Sequence, residues 1–460
     1  MNTERALPEE SSGQIPGEVL IELAPWLAGM VNPFIPDPSG SASPVTTLGD
    51  PEIDSVLGEI GVWSITRLFF RGPPKWDGAR FKSDPDEDHV SYRLRFDPEV
   101  PVDEAVARLL DTKGKRIELA TSNDWYVSLA VDRSAHETFP TQWNLEAIDC
   151  PRAWRRTYGE PHVVVAVIDS GVDFNHADLQ SNLLQGKNCV DFTGKQYPAG
   201  RELIGNYLRA SDRPDDEVGH GTHVAGTISC ECSHLGGVTG MTRRCRILPV
   251  RVLATAYEPV RREYETVGNM ANLAAGIRWS VDCGGASILN MSLGRAKNNE
   301  FVLRAIHHAQ DRGKILVAAA GNEGHAKNRK MYPAGYSGVI AVGATDLDNQ
   351  RAYFSNSGDH IVVCAPGVGI SSTHLSNGHD THSGTSFAAP HVSGLAALMI
   401  SIAPDLTAEE VSTIIRETAT PLRQDQADPH PNQNFGWGLI NAEAALSRVM
   451  EHGSVSGGHS

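Results

Sequence analysis

Three short segments carry residue types that can do covalent chemistry together. Asp169 closes an apolar run in VVVAVIDSGVDFNHADL, His220 and His223 lie in GHGTHVAGT, and Ser386 lies in SGTSFAAPHVSG. A serine hydroxyl is a weak nucleophile at neutral pH and needs a base within hydrogen-bond reach. Histidine suits that role because its ordinary pKa is about 6.5. A carboxylate on the other ring nitrogen holds the tautomer and stabilises the imidazolium that forms. The types therefore predict Ser386 as nucleophile, His220 as general base and Asp169 as its orienting acid. Glycines on both sides of His220 let its backbone lie in a tight site. Ser386 opens an apolar helical pattern, where the positive end of the helix dipole favours developing negative charge.

These residues need a scaffold. Val163–Ile168 is a continuous apolar run, the mark of a strand buried on both faces. Similar runs recur at Ile247–Leu253, Ile288–Leu293, Ile315–Ala319 and Val339–Val342. Helical patterns at 269–282, 300–311 and 386–401 separate several of them. Strands alternating with helices predict an α/β fold of three layers, a parallel sheet with helices on both faces. The ends of such strands are where sites form.

Residues 1–140 have a different texture. They hold 24 Asp and Glu against 13 Lys and Arg, so most of the formal net charge of −16 falls here. Strand patterns at Glu18–Leu23, Trp63–Phe70, Val90–Phe96, Ile117–Ala120 and Trp125–Leu129 combine with helix patterns at 51–59 and Val102–Asp111. The order β-α-β-β-α-β predicts a small α+β module of ferredoxin-like form. Residues 32–50 and 71–88 read as loops. The expected division is 1–140 for this module, 141–450 for the larger α/β domain and 451–460 for a flexible polar tail.

The three reactive segments, in the order Asp, His, Ser, resemble the subtilisin-like serine peptidases across roughly residues 141–447. The resemblance implies a serine endopeptidase that cuts extended polypeptide segments through an acyl-enzyme. It makes His223 a structural neighbour of the catalytic His220. It implies that Asn322, in AAAGNEG, donates its amide to the oxyanion. Ser292, Leu293 and Gly294 in NMSLG would line the substrate backbone. Ala319, Ala320 and Gly321 would border the specificity pocket, with Glu323 and Met331 nearby. The basic stretch HAKNRKMY reads as a solvated loop, with a preference for an acidic side chain before the scissile bond as the alternative. The acidic run Asp215–Glu217 also reads as a solvated loop. The chemistry needs no cofactor. A structural calcium at Asp178, nine residues after the catalytic aspartate, is the one metal the resemblance allows; the cysteines of the partner loop CECSHLGGV make an odd match for a cation that wants oxygen, with its backbone carbonyls as the alternative ligands.

In this family an N-terminal ferredoxin-like propeptide helps the enzyme fold and then occupies the cleft. The acidic module fits that role as an intramolecular partner that keeps the enzyme latent. TQWNLEAIDCPRAW resembles the start of a mature domain, so a processing junction is expected near 120–140. A regulatory domain that is never removed is the alternative. A catalytically silent scaffold of the same fold would be expected to lose a key residue, and Asp169, His220, Asn322 and Ser386 are all present. An esterase of the α/β-hydrolase type is excluded by the G-T-S-F-A context of Ser386 and by the chain order. No His-Glu-x-x-His motif supports metalloprotease chemistry.

The acidic balance argues against nucleic acid as a partner. No apolar run reaches the roughly 20 residues that span a bilayer, so no membrane partner is expected. The start of the sequence shows no basic and apolar leader, and the seven cysteines are an odd number. Both point to free thiols and a cytoplasmic protein. Cys230, Cys232, His234 and Cys245 match no common zinc spacing.

Overall fold

The computed structural model describes every residue except 1–13, 28–30, 32–34, 36–43, 70–74, 77–80, 83–90, 129–141, 193–201, 209, 232–236, 259–262, 424–428 and 457–460. The first unit has the order read from the sequence: β1 (Gln14–Leu23), α1 (Pro51–Glu59), β2 (Ser64–Arg67), β3 (Ser91–Arg95), α2 (Val102–Leu110) and β4 (Ile117–Ser128). The strands are antiparallel in the order β2–β3–β1–β4. The start of α1 follows from its sequence. Asp50 accepts the N–H groups of Glu52 and Ile53, and Pro51 occupies a first-turn position that needs no donor. Alternation along β1 divides its side chains. Val19 and Ile21 join Ile53, Leu57, Leu94 and Leu109 in the module's own core. Leu20 points the other way, into an apolar layer of the larger unit.

The larger unit continues with β5 (Val164–Asp169), α3 (His220–Ile228), β6 (Arg246–Arg251), β7 (Leu253–Glu258), β8 (Glu263–Asn269), α4 (Met270–Asp282), β9 (Ile288–Met291), β10 (Leu293–Gly294) and α5 (Glu300–Asp311). It ends with β11 (Ile315–Ala319), β12 (Ile340–Thr345), β13 (Ile361–Pro366), the hairpin β14 (Ile370–His374) and β15 (Gly378–His382), α6 (Thr385–Ile402), α7 (Ala408–Thr418) and α8 (Ala442–Ser456). A parallel sheet runs β13–β12–β11–β9–β5–β6, with the short strand Lys187–Asn188 at its edge. Side chains alternate across it. Val165 and Val167 pack with α3, α6, α7 and α8, whereas Ala166 and Ile168 pack with α4 and α5. Burial on both faces is why β5 reads as an unbroken apolar run. The helix α6 is long and apolar enough by composition to cross a membrane, and it is buried in this core.

The two units join through backbone. The last residues of β4 run between two strands of the larger unit. Trp125, Tyr126 and Val127 pair with Asn269, Gly268 and Val267 of β8. Val127 and Ser128 pair antiparallel with Gly294 and Leu293 of β10. Buried polar groups line the same seam. Arg95 reaches Glu18 at 2.9 Å and Asp191 at 2.8 Å, and Arg93 donates to Asn272 at 2.8 Å. Asn123 accepts the Ala271 N–H at 3.1 Å, which satisfies a donor at the start of α4.

Three readings need adjustment. The strand patterns at Ile117–Ala120 and Trp125–Leu129 form one strand as far as Ser128, and Leu129 lies outside the described residues. The tail assigned to 451–460 is helical up to Ser456, because α8 continues through it. The loops at 32–50 and 71–88 fall partly outside the described residues. Within the second, Lys75–Trp76 and Phe81–Lys82 form a small antiparallel pair.

Candidate active site

Asp169 ends β5 at the carboxyl edge of the parallel sheet, fully buried. Its Oδ1 accepts the His220 Nδ1–H at 2.7 Å and the Ser170 N–H at 2.7 Å. His220 is the first residue of α3. Gly219 before it has φ +93°, and a Cβ there would sit 2.2 Å from the His374 ring. A Cβ on Gly221 would sit 2.2 Å from the Gly171 carbonyl oxygen. Gly219 is therefore required by its positive φ, and Gly221 by its close approach to backbone.

The sequence reading missed how this helix start is held. Asp216, expected from the sequence to lie in a solvated acidic loop, accepts from the Val218, Gly219 and Thr222 N–H groups and from the hydroxyls of Ser170 and Thr222. It satisfies the Gly219 and Thr222 donors at the start of α3, and the Ser170 hydroxyl it holds accepts the Gly221 N–H, which ties the helix start to the residue after Asp169. Glu217 is likewise engaged, by the buried Arg251 at 2.7 Å. An aspartate close before a helix start is the signal that could have found Asp216. Asp215 does behave as a surface group, paired with the exposed Arg213.

Ser386 is the second residue of α6 and is fully buried. Its hydroxyl donates to the Ser292 carbonyl at 2.9 Å, and the Ser292 hydroxyl donates to the Ser386 carbonyl at 2.7 Å. The second bond has a helical cause. Pro390 stands where the donor to the Ser386 carbonyl would be and has no N–H. Ser292 supplies the missing donor. Asn290 holds the Ser292 oxygen at 3.0 Å and is itself held by Ser393 at 2.8 Å. Ser292 therefore braces Ser386 from beneath. The Nε2 of His220 is buried with no hydrogen-bond partner among the described residues.

Asn322 follows β11. Its Oδ1 accepts from the Thr385 N–H at 2.9 Å and from the Thr385 hydroxyl at 2.8 Å. Two donors on one amide atom identify that atom as oxygen, so Nδ2 is the donor end. Thr385, which the sequence reading did not single out, also accepts the Gly321 N–H at 3.1 Å. Ala319, Ala320 and Met331 are buried beside this turn. Two cations of the basic stretch meet acids outside it: Arg329 bonds Glu323, and Lys330 lies 2.9 Å from Asp359. Those pairings weaken the idea of an acid-selective pocket.

Leu293 and Gly294 are edge residues, and their present partners are Ser128 and Val127 of the same chain. His223 is buried in α3 and reaches the Ile370 carbonyl at 2.9 Å. Burial, reinforced by His382 and His220, holds its pKa well below the usual histidine range. A neutral, buried ring is a structural group. Asp178 is buried, but its side chain meets nitrogen donors. His379 Nε2 lies 2.8 Å from its Oδ2, and His176 stands beside it. Among the described residues this set does not suit a calcium ion, which takes oxygen ligands. Part of the loop named as its partner, including Cys232 and His234, lies outside the described residues. Cys230 and Cys245 are buried, with their sulfurs close to the Val238 carbonyl and the Ser401 hydroxyl respectively.

Comparison with known proteins agrees with this geometry. The model of the subtilase family matches residues 160–438. Subtilisin DY of Bacillus licheniformis is 34% identical, over 66% of this chain and 97% of its own length. The minor extracellular protease Epr of Bacillus subtilis is 35% identical over 66% of this chain, and the chain spans 41% of that relative. A solved protease structure from Pseudoalteromonas arctica superposes with a TM-score of 0.57 at 28% identity, covering 67% of this chain and 97% of that one. The relative named extracellular overturns the expectation of a cytoplasmic protein. That expectation leaned on the first residues of the sequence and on the odd cysteine count, neither of which fixes the compartment.

Proposed function

The chain belongs to the subtilase family and is a serine-type endopeptidase; from that premise we propose that Ser386, His220, Asp169 and Asn322 carry out its reaction. The Ser386 hydroxyl turns from Ser292 towards His220, whose Nε2 takes its proton as Oγ attacks the scissile carbonyl. Asp169 keeps the Nδ1–H in place and stabilises the imidazolium. The oxyanion lies between the Asn322 Nδ2–H and the Ser386 N–H at the start of α6. His220 then returns the proton to the leaving amine, and water releases the acyl group by the same steps in reverse. The observation that carries this reading is the 2.7 Å bond from His220 to Asp169, which leaves the buried Nε2 as the ring's acceptor. The substrate is an extended polypeptide segment paired with Leu293 and Gly294, with Ala319–Gly321 bordering the adjoining pocket.

The N-terminal module holds the enzyme latent in this reading. Support comes from the pairing of Val127 and Ser128 with Gly294 and Leu293, since strand addition at that edge is how a peptide would bind. The enzyme cuts its own chain after Ser128 and before Gln142, and acts outside the cell. Intact-mass analysis of the purified wild type beside Ser386→Ala tests this. Two fragments joined within 128–142 are expected from the wild type, and one uncut chain from the variant. Cleavage in the variant, or a junction elsewhere, would refute it.

A further inference from the structure

Among the described residues, two groups of histidine and aspartate outside the proposed reaction bring ligand atoms together. In His176, Asp178 and His379, both His176 nitrogens are committed to backbone. Its Nδ1 accepts the Asp178 N–H at 3.2 Å, and its Nε2 lies 2.8 Å from the Gly378 carbonyl. This group is a hydrogen-bonded tie between the turn after Asp169 and the hairpin.

The second group is His374, Asp380 and His382. Ser372 faces Asp380 and Ile370 faces His382 across β14 and β15. Side chains alternate along strands, so His374, Asp380 and His382 share one face of the hairpin. Their ligand atoms all lie within 4.8 Å of one another. His382 Nε2 is 3.5 Å from Asp380 Oδ2. A tetrahedral ion with bonds of about 2.0–2.1 Å sets neighbouring ligands about 3.3 Å apart, so this pair needs almost no movement. The other Asp380 oxygen accepts the Thr381 N–H at 2.7 Å, which orients the carboxylate. The His382 and Asp380 side chains are 25% and 23% exposed, so an ion can enter from solvent. Two imidazoles and one carboxylate suit a zinc-class ion rather than calcium.

The group adjoins the reactive residues. The His382 ring stacks on Phe387, which follows Ser386, at 5.5 Å and 18°. The His220 ring packs on the same Phe387 at 5.3 Å. His374 abuts Gly219, which precedes His220. A dication here would disfavour the imidazolium that His220 must become during the reaction.

We propose that His374, Asp380 and His382 form a binding site for a zinc-class divalent cation, and that its occupancy slows peptide hydrolysis. The binding claim stands without the peptidase mechanism; the effect on rate rests on it. Binding is tested with the full-length Ser386→Ala chain, titrated with zinc chloride by calorimetry and with cobalt(II) by visible absorption. One zinc per chain, unaffected by excess calcium, and tetrahedral cobalt bands are expected. In the same background, His374→Gln with His382→Gln, and separately Asp380→Asn, should weaken binding by at least about tenfold, and His379→Gln should leave it intact. Near-ultraviolet circular dichroism checks that each variant is folded. No stoichiometric binding, binding unchanged in folded variants, or loss only in His379→Gln would overturn the site. With active enzyme, zinc should lower kcat more than it changes KM, and the double variant should resist it. Zinc that binds at this site without lowering kcat would overturn the regulatory claim.

Discussion

At the residue scale, the reactive groups are set by few atoms. The Thr385 hydroxyl and N–H fix the Asn322 amide so that Nδ2 is its donor end. Asn322→Ala should lower kcat by about 10²–10³ with little change in KM, measured on a peptide anilide. That range is the one known for an oxyanion donor in subtilisin, a relative of this chain. Histidines away from the chemistry set a pH dependence. Burial pushes the His391 pKa down to about 4, while its Nδ1 meets the Phe387 carbonyl and its Nε2 meets Asn144. The folded state then binds fewer protons than the unfolded state below about pH 6.5. Stability from this group is complete above that pH and declines as pH falls towards about 4. Urea unfolding of Ser386→Ala should show it as a loss of about 2 kcal/mol between pH 7.5 and 5. His391→Gln should remove that part of the loss. Asp169, His220, Asn322 and Ser386 were legible because their neighbours in sequence are distinctive. Thr385 and Asn290 were not, since their roles exist only once distant strand ends meet.

At the element scale, two helix starts hold the proposed reactive residues and each has its own brace. Asp216 satisfies three N–H groups at the start of α3. Asp216→Ala should destabilise the Ser386→Ala chain by about 2 kcal/mol, at the upper end of what a lost cap costs, as read by urea unfolding. In the active chain the same change should lower kcat, because His220 opens that helix. At α6, Ser292→Ala removes the hydroxyl that donates to the Ser386 carbonyl next to Pro390. It should destabilise the protein by about 1–3 kcal/mol. Ser292→Thr, which keeps the hydroxyl, should recover part of the loss. Sequence patterns found β5, β11, α4, α5 and α6 because each shows a long apolar run or a clear helical period. The hairpin of β14 and β15 escaped because ISSTH and GHDTH are polar and lack the β-branched apolar alternation of a strand. Asp216 escaped because its partners are backbone groups that converge only when α3 forms.

At the scale of the whole molecule, two units share one antiparallel sheet through β4, which lies between β8 and β10. The module's strand order was legible from local alternation. Its docking was not, since β4 meets partners more than a hundred residues away. The seam places Glu18, Arg93, Arg95 and Asp191 in buried contact. Breaking one partner of such a cluster leaves a buried charge uncompensated. Glu18→Ala should therefore release the module and raise early activity towards a peptide substrate, measured before self-cleavage is complete. Fluorophosphonate labelling with peptide mapping tests most directly whether Ser386 is a nucleophile activated by His220 and Asp169. Processed wild-type enzyme should carry one label, on the peptide containing Ser386, and His220→Ala and Ser386→Ala should carry none. A label on another residue, or no label on folded and processed wild type, would contradict it.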